Sequence, residues 1–274
     1  MNRRRCLLFV QGCKPERFEK AIASGADQVC IDLEDAVPAS EKLAARDACV
    51  DFFARRAPPG SSRTEVGVRI NVVDSAHGLA DLQALLTSGA RPDFLMLPKV
   101  TAAQDVRRAA DVLNEMPLIA LLESPTAVFE ARSIARSSTT LQALMFGGYD
   151  YSVASRVTPC GPGWLWPRSI IAAAAAEAGI GAIDVPSLSI DDLPDMQAET
   201  NEAIALGFTA RAAIHPAQVA SIQSSFMPMT AAIEQARRVV AAAEAAQGGA
   251  TTVDGKLVDL PVEMAARRVL AMAG

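Results

Sequence analysis

The sequence predicts an α/β chain folded as a (β/α)8 barrel with a helical lid or arm at its carboxyl end. Three observations predict it. Short apolar runs rich in Val, Ile, Leu and Phe recur between Gly, Pro and Ser, and each reads as a strand buried on both faces. After each run comes a stretch with helical spacing, and units of roughly 25 to 30 residues fill a barrel of about 250 residues. Charged residues stand where the apolar runs stop, and in a parallel barrel those ends share one rim, where such folds keep their active sites.

In chain order, the first strand is approached by MNRRR, followed by the apolar run that ends at Gln11-Gly12. A helix is expected over Pro15 to Ser24, then the strand QVCID with Leu33, Glu34, Asp35 and Ala36 behind it, then a helix from Ser40 to Arg55. VGVRIN (66–71) is the third strand and His77 to Ser88 the third helix. FLMLPK (94–99) leads into Thr101 to Glu115, LIALLES (118–124) into Pro125 to Arg136, and LQALMFGGYD (141–150) into an unassigned stretch, Tyr151 to Pro167. That stretch holds both tryptophans and reads as an active-site loop over the rim. Arg168 to Ala178 and Asp191 to Leu206 are helices, AIDVPS (182–187) and ARAAIHP (210–216) the last strands, and a helix starts near Ala217. Thr101 and Ser40 are plausible helix N-caps, Pro15 and Pro125 suit a first turn, and Gly25, Gly89, Gly179 and Gly207 follow helical runs as stop signals.

Residues 1–228 are thus expected to form the barrel and 229–274 the extension: a helix over 231–247, a Gly-Gly break, TTVDGKLVDLP (251–261) and a last helix to Gly274. A Gly-flanked polar stretch between helices has the makeup of a lid, or of an arm for a neighbouring subunit.

Composition narrows the function. The chain has 274 residues, half of them hydrophobic, with a net charge of −5, which gives no general footprint for nucleic acid. IIAAAAAEAGIGAI (170–183) is broken by Glu177 and two glycines and is too short to span a membrane, and the N-terminal apolar stretch lacks the length of a signal peptide. Five irregularly spaced cysteines with no Cys-x-x-Cys pair imply neither a disulfide framework nor a zinc site and point to a reducing cytoplasm. The chain lacks a P-loop lysine after GGYD and a G-x-G-x-x-G after the first strand, so nucleotide hydrolysis is set aside.

Glu123 and Asp150 end neighbouring strands, and a divalent cation between them relieves their repulsion; Mg²⁺ takes one or two protein carboxylates and fills its octahedron with substrate and water. The bland alternative is that both cap the next helices. Arg69 would stabilise a developing oxyanion, or form an ion pair with Glu34 or Asp35. Asp32, Glu34 and Asp35 would order metal-bound water, or pair with Arg69 and Lys99. With only His77 and His215 present, a histidine-based metal site is hard to build.

The ordered segments LLFVQGCKPERFEKAIASGADQVCIDLEDAV, VRIN, LMLPKV, LLESPTAVFEA, MFGGYDYS, AIHPAQV and DGKLVDLPVEMAARRVL resemble the successive motifs of the citrate lyase β-subunit and malyl-CoA lyase branch of the HpcH/HpaI aldolase superfamily. The resemblance implies a TIM barrel, commonly a homotrimer, that binds Mg²⁺ and cleaves or forms a carbon–carbon bond beside a coenzyme A thioester. By motif it gives Glu123 and Asp150 the metal, Arg69 the oxyanion, and Glu34 and Asp35 the metal waters. Asp259 in GKLVD matches the acid/base carried on an adjacent subunit's lid. The expected substrates are a 3-hydroxy-3-carboxyacyl-CoA (citramalyl, malyl or citryl type) and its 2-oxoacid product, with Lys14, Arg17 and Lys20 as candidates for the coenzyme's phosphates. Alternatives are a class II aldolase on free 2-oxoacids and a citrate lyase β-like subunit that needs an acyl-carrier partner. Gln11-Gly12-Cys13, where the family often has Pro-Gly-Asn or Pro-Gly-Ser, departs from the pattern.

Overall fold

The computed structural model describes residues 4–56, 59–60, 62–190, 193–247 and 249–273. The chain divides into two compact units, one ending at Ile222 and the other beginning at Gln223.

The first unit is a closed barrel of eight parallel strands in sequence order: β1 (Cys6–Gln11), β2 (Gln28–Asp32), β3 (Glu65–Arg69), β4 (Leu95–Leu97), β5 (Leu118–Leu122), β6 (Leu141–Phe146), β7 (Gly181–Asp184) and β8 (Ala210–Ala213), with β8 pairing back onto β1. Around it lie α1 (Phe18–Ala23), α2 (Lys42–Arg55), α3 (Ala76–Ser88), α4 (Ala103–Leu113), α5 (Pro125–Phe129), α6 (Ala131–Ala135), α7 (Gly148–Ser155), α8 (Leu165–Ala178), α9 (Leu193–Leu206) and α10 (Ala217–Ser225). The strands are apolar on both faces because one face fills the barrel and the other meets the helices. Leu7, Cys30, Phe94, Met96, Ile119, Leu121, Ala143, Met145, Ile183, Ala210 and Ala212 fill the interior. Alternation along each strand then puts Phe9, Asp32, Arg69 and Glu123 one layer higher, at the carboxyl end.

Several expectations need adjusting. The stretch 125–136 is two short helices, interrupted at Glu130, whose backbone leaves the helical region (φ −93°, ψ 3°). Tyr151–Ser155 is the body of α7 rather than loop, and Leu165–Pro167 already belongs to α8. Thr101 does not cap α4: the Asp105 carboxylate in the first turn accepts the N–H groups of Thr101 and Ala102 instead. Ser40 lies inside a 3-10 turn, and the side-chain caps are Ser75 on α3 and Ser124 on α5, each accepting a backbone N–H at 3.0 and 3.2 Å. Gly89 and Gly179 end their helices in the left-handed region. Asp191, expected to open a helix, lies outside the described residues, as do Gly248 of the Gly-Gly break, Gly274, and Met1 to Arg3 of the basic N-terminus.

The second unit consists of α11 (Thr230–Ala245), a two-stranded antiparallel hairpin of β9 (Thr251–Val253) and β10 (Lys256–Val258), and α12 (Leu260–Ala273). Ala236, Val239, Val240, Ala243, Val258 and Ala266 form its core. The polar stretch 251–261, expected as a lid or arm, contains this hairpin. Asp254 and Gly255 both have positive φ (51° and 74°), which is the two-residue turn that an Asp-Gly pair favours. All five cysteines are free. Among the described residues no helix is long and apolar enough to cross a membrane.

Candidate active site

A cavity of about 740 Å³ opens at the carboxyl ends of the strands, lined among others by Phe9, Gln11, Asp32, Arg69, Glu123, Asp150, Val185, Ile214 and His215. Of the charged residues that ended the apolar runs, Asp32, Arg69, Glu123 and Asp150 line it, whereas Glu34, Asp35 and Lys99 are not part of the lining.

Arg69, at the end of β3, faces Asp32, its register partner on β2. The pair is bidentate: Nε donates to Oδ1 at 2.7 Å and Nη2 to Oδ2 at 2.6 Å. Nη1 lies 3.4 Å from Glu34, and the Phe9 ring covers the guanidinium with its centroid 5.2 Å from Cζ. Burial works against the charge on Arg69, but the hydrogen bonds and charge of Asp32 outweigh it and hold its pKa above the ordinary value. The ion-pair reading of Arg69 thus holds with Asp32 as the main partner. Asp32 also accepts the N–H groups of Glu34 and Ala36, which fixes the loop after β2.

Lys99 links the loop after β2 to the end of β5. Its ammonium donates to Glu34 at 2.6 Å and lies 3.3 Å from Asp35, while its backbone N–H donates to Glu123 Oε1 at 2.7 Å. That geometry requires φ of 51°, an uncommon conformation for a residue with a side chain. Burial raises the pKa of Glu34, and Lys99 and Arg69 oppose the rise without cancelling it.

Glu123 is 5% exposed, and burial together with the charge of Asp150 pushes its pKa up to about 7. Gly147 makes room for it: a Cβ there would stand 2.5 Å from Glu123 Cβ and 2.8 Å from Oε2. Asp150 is exposed in the first turn of α7, where the helix dipole favours an anion. Among the described residues no cluster of three or more Cys, His, Asp or Glu surrounds a metal-sized gap. Two oxygen donors, one of them a buried carboxylate destabilised by its neighbour, fit a hard cation that keeps most of its shell for water and substrate. The donor set fits Mg²⁺ and lacks the nitrogen and sulfur of a zinc site.

The expected loop over the rim has another place. None of Tyr151 to Pro167 lines this cavity. Trp164 is buried instead behind α7, where its Nε1 donates to Ser152 Oγ at 2.7 Å and its ring meets Phe146 and Tyr149 edge-on. It braces the helix that carries Asp150. Arg17 and Lys20 line the cavity, whereas Lys14 is exposed in the turn before them and does not. His215 lines it too, its Nδ1 accepting the N–H of Ala217 at 3.3 Å, while His77 is exposed on α3 and is not part of the lining. Gln218, fully buried, accepts the N–H groups of Ile214 and His215 and donates to the carbonyls of Ser187 and Ser189, tying the loops after β7 and β8 together. Asp259 belongs to the second unit, where its Oδ1 accepts the N–H of Val262 at 3.3 Å at the start of α12. Sequence reasoning missed Phe9 and Gly147. The signal for Gly147 was its place before Gly148 at the end of a strand; Phe9 reads as one more strand hydrophobe until its layer is known.

Comparison with known proteins bears on this geometry. Residues 5–216 match the family described as HpcH/HpaI aldolase/citrate lyase. The L-malyl-CoA/beta-methylmalyl-CoA lyase of Cereibacter sphaeroides (strain ATCC 17029) is 32% identical, covering 93% of this chain and 90% of the relative. A citrate lyase subunit beta-like protein of Deinococcus radiodurans is 34% identical, covering 97% and 96%. Among solved structures, the CitE protein of Mycobacterium tuberculosis in complex with magnesium, acetoacetate and coenzyme A superposes with a TM-score of 0.84 at 33% identity, covering 98% of each chain.

Proposed function

The chain belongs to the HpcH/HpaI aldolase/citrate lyase family and is a carbon–carbon lyase, and from that premise we propose that it cleaves a 3-hydroxy-3-carboxyacyl-CoA to acetyl-CoA and a 2-oxoacid by a retro-Claisen reaction. The observation that carries the reading is the convergence of Glu123, Asp150 and the Asp32-clamped Arg69 on one cavity at the carboxyl end of the barrel.

In this reading Glu123 and Asp150 hold Mg²⁺, which when bound supplies Lewis-acid polarisation of the substrate's oxygens. The hydroxyl on the reacting carbon gives up its proton to water, that carbon becomes a carbonyl, and the carbon–carbon bond breaks, leaving its electron pair in the thioester enolate. Arg69 stabilises the enolate oxygen. Its guanidinium is held by Asp32 and Phe9 before substrate arrives, so little reorganisation is needed in the transition state. The enolate carbon then takes a proton to give acetyl-CoA. Asp259, carried on the 229–274 extension of a neighbouring subunit in a homotrimer, delivers it. Glu34 and Asp35 order water around the metal, with Lys99 holding both. Arg17 and Lys20 at the cavity wall, and Lys14 beside them, meet the phosphates of coenzyme A.

The test is release of acetyl-CoA and 2-oxoacid from malyl-, citramalyl- and citryl-CoA by the purified protein, with Mg²⁺ and with chelator, and with Glu123→Ala as control. Metal-dependent cleavage lost in the variant is expected. Release of free coenzyme A without acetyl-CoA, or turnover only of free 2-oxoacids with aldehydes, or activity only with an acyl-carrier protein, would each replace this reading.

A further inference from the structure

The rim of the cavity has two unlike arcs. From β2 to β6 it is charged, carrying Asp32, Arg69, Glu123 and, past the strands, Lys99 and Asp150. From β7 through β8 to β1 it is apolar, carrying Val185, Ile214 and Phe9, all three of which line the cavity. Val185 is 3% exposed, whereas Ile214 is 39% exposed although Ala210, Ala212 and Ala213 just before it are buried. A large aliphatic side chain left open at the top of a packed barrel, on a cavity wall, is surface available to a ligand. No spare cation stands among the strand-end residues of this arc. Arg69 is engaged by Asp32 and Glu34, and Arg17 and Lys20 belong to α1 and the turn before it. Two polar side chains of the arc also line the cavity, Gln11 at the end of β1 and His215, whose Nδ1 accepts the N–H of Ala217.

The reacting carbon in the proposed reaction bears a carboxylate and a further substituent. With the carboxylate and hydroxyl on the charged arc, the two remaining bonds of the tetrahedral carbon, to the substituent and to the thioester arm, point away from it. We propose that Phe9, Val185 and Ile214 form the subsite for that substituent and select hydrogen or a short alkyl group, so that the 2-oxoacid is a monocarboxylate and not a dicarboxylate. This rests on the lyase reading for the identity of the reacting carbon. A methyl or ethyl group gains by leaving water against these side chains, while a second carboxylate packed against the same three apolar side chains loses hydration.

Isothermal titration of the Mg²⁺-loaded protein with pyruvate, 2-oxobutyrate and freshly prepared oxaloacetate tests this without turnover. Pyruvate and 2-oxobutyrate should bind at least tenfold tighter than oxaloacetate. Ile214→Arg, at a position open enough to take the longer side chain, should shift the preference at least tenfold towards oxaloacetate, and Ile214→Ala should favour 2-oxobutyrate over pyruvate. Equal or tighter binding of oxaloacetate to the unaltered protein overturns the proposal. So does an equal loss for all three acids in Ile214→Arg, which would assign the arc to the coenzyme's arm. The predicted binding order without thioester cleavage would remove the lyase reading and leave the subsite; efficient cleavage with citryl-CoA preferred would remove the subsite and leave the lyase.

Discussion

Lys99 holds Glu123 through its backbone and Glu34 through its side chain: its N–H reaches Glu123 Oε1 at 2.7 Å and its ammonium reaches Glu34 Oε1 at 2.6 Å. The left-handed backbone at this one residue joins the buried carboxylate of β5 to the acidic loop after β2. Lys99→Ala keeps the first contact and loses the second. It should lower Mg²⁺ affinity about tenfold in calorimetry by releasing Glu34 and Asp35, and freeing the buried Glu34 of its main partner should lower stability by about 1–3 kcal/mol in urea unfolding.

Arg69→Ala should lower kcat for thioester cleavage about 10²–10³-fold with circular dichroism unchanged, as the loss of one oxyanion donor does. Arg69→Lys should recover little, since an ammonium cannot match the bidentate geometry with Asp32.

Glu123 should make stability depend on pH. Its carboxyl is protonated more readily in the folded chain (about 7) than in the unfolded chain (4.5), so the metal-free protein should lose stability as pH rises through that window, by up to about 3 kcal/mol. Glu123→Gln should flatten the dependence in thermal scans between pH 5 and 8, and Mg²⁺ should stabilise the parent more at pH 8 than at pH 5.5.

Gly147→Ala places a methyl 2.5 Å from Glu123 Cβ. The carboxylate must move, and Mg²⁺ affinity measured by calorimetry should fall at least about tenfold, with a stability cost of about 1–3 kcal/mol.

Asp259 invites a paired substitution. Asp259→Ala removes both the carboxylate and the acceptor for Val262 N–H, costing about 0.5–2 kcal/mol, whereas Asp259→Asn keeps a cap acceptor. If the carboxylate is the proton donor, both variants should lose turnover while only the alanine variant loses stability.

Much of this was readable in the chain. The strand ends at Asp32, Arg69, Glu123 and Asp150 announced themselves because a charge closing an apolar run is costly without a purpose, and the barrel follows from runs apolar on both faces. Trp164 was misread for a physical reason. Pro and Gly around it signal a loop, but the partners that bury it, Ser152, Phe146 and Tyr149, are known only once α7 is folded. Asp254-Gly255 carried a hairpin signal that its short flanking strands obscured. The bidentate choice of Asp32 over Glu34 and Asp35 by Arg69 depends on strand register, which apolar periodicity does not number.

The charged arc has an arithmetic of its own. On this arc the carboxylates Asp32, Glu34, Asp35, Glu123 and Asp150 outnumber the cations Arg69 and Lys99 that pair with them, so before any ion arrives the arc carries an excess of negative charge. The carboxylate of the proposed substrate would meet that field at the reacting end of the cavity, away from Arg17 and Lys20. Chronology follows from charge: on the proposed lyase reading the divalent ion should enter ahead of the organic acid and leave after its product, and initial rates with both varied should show compulsory order, the ion first.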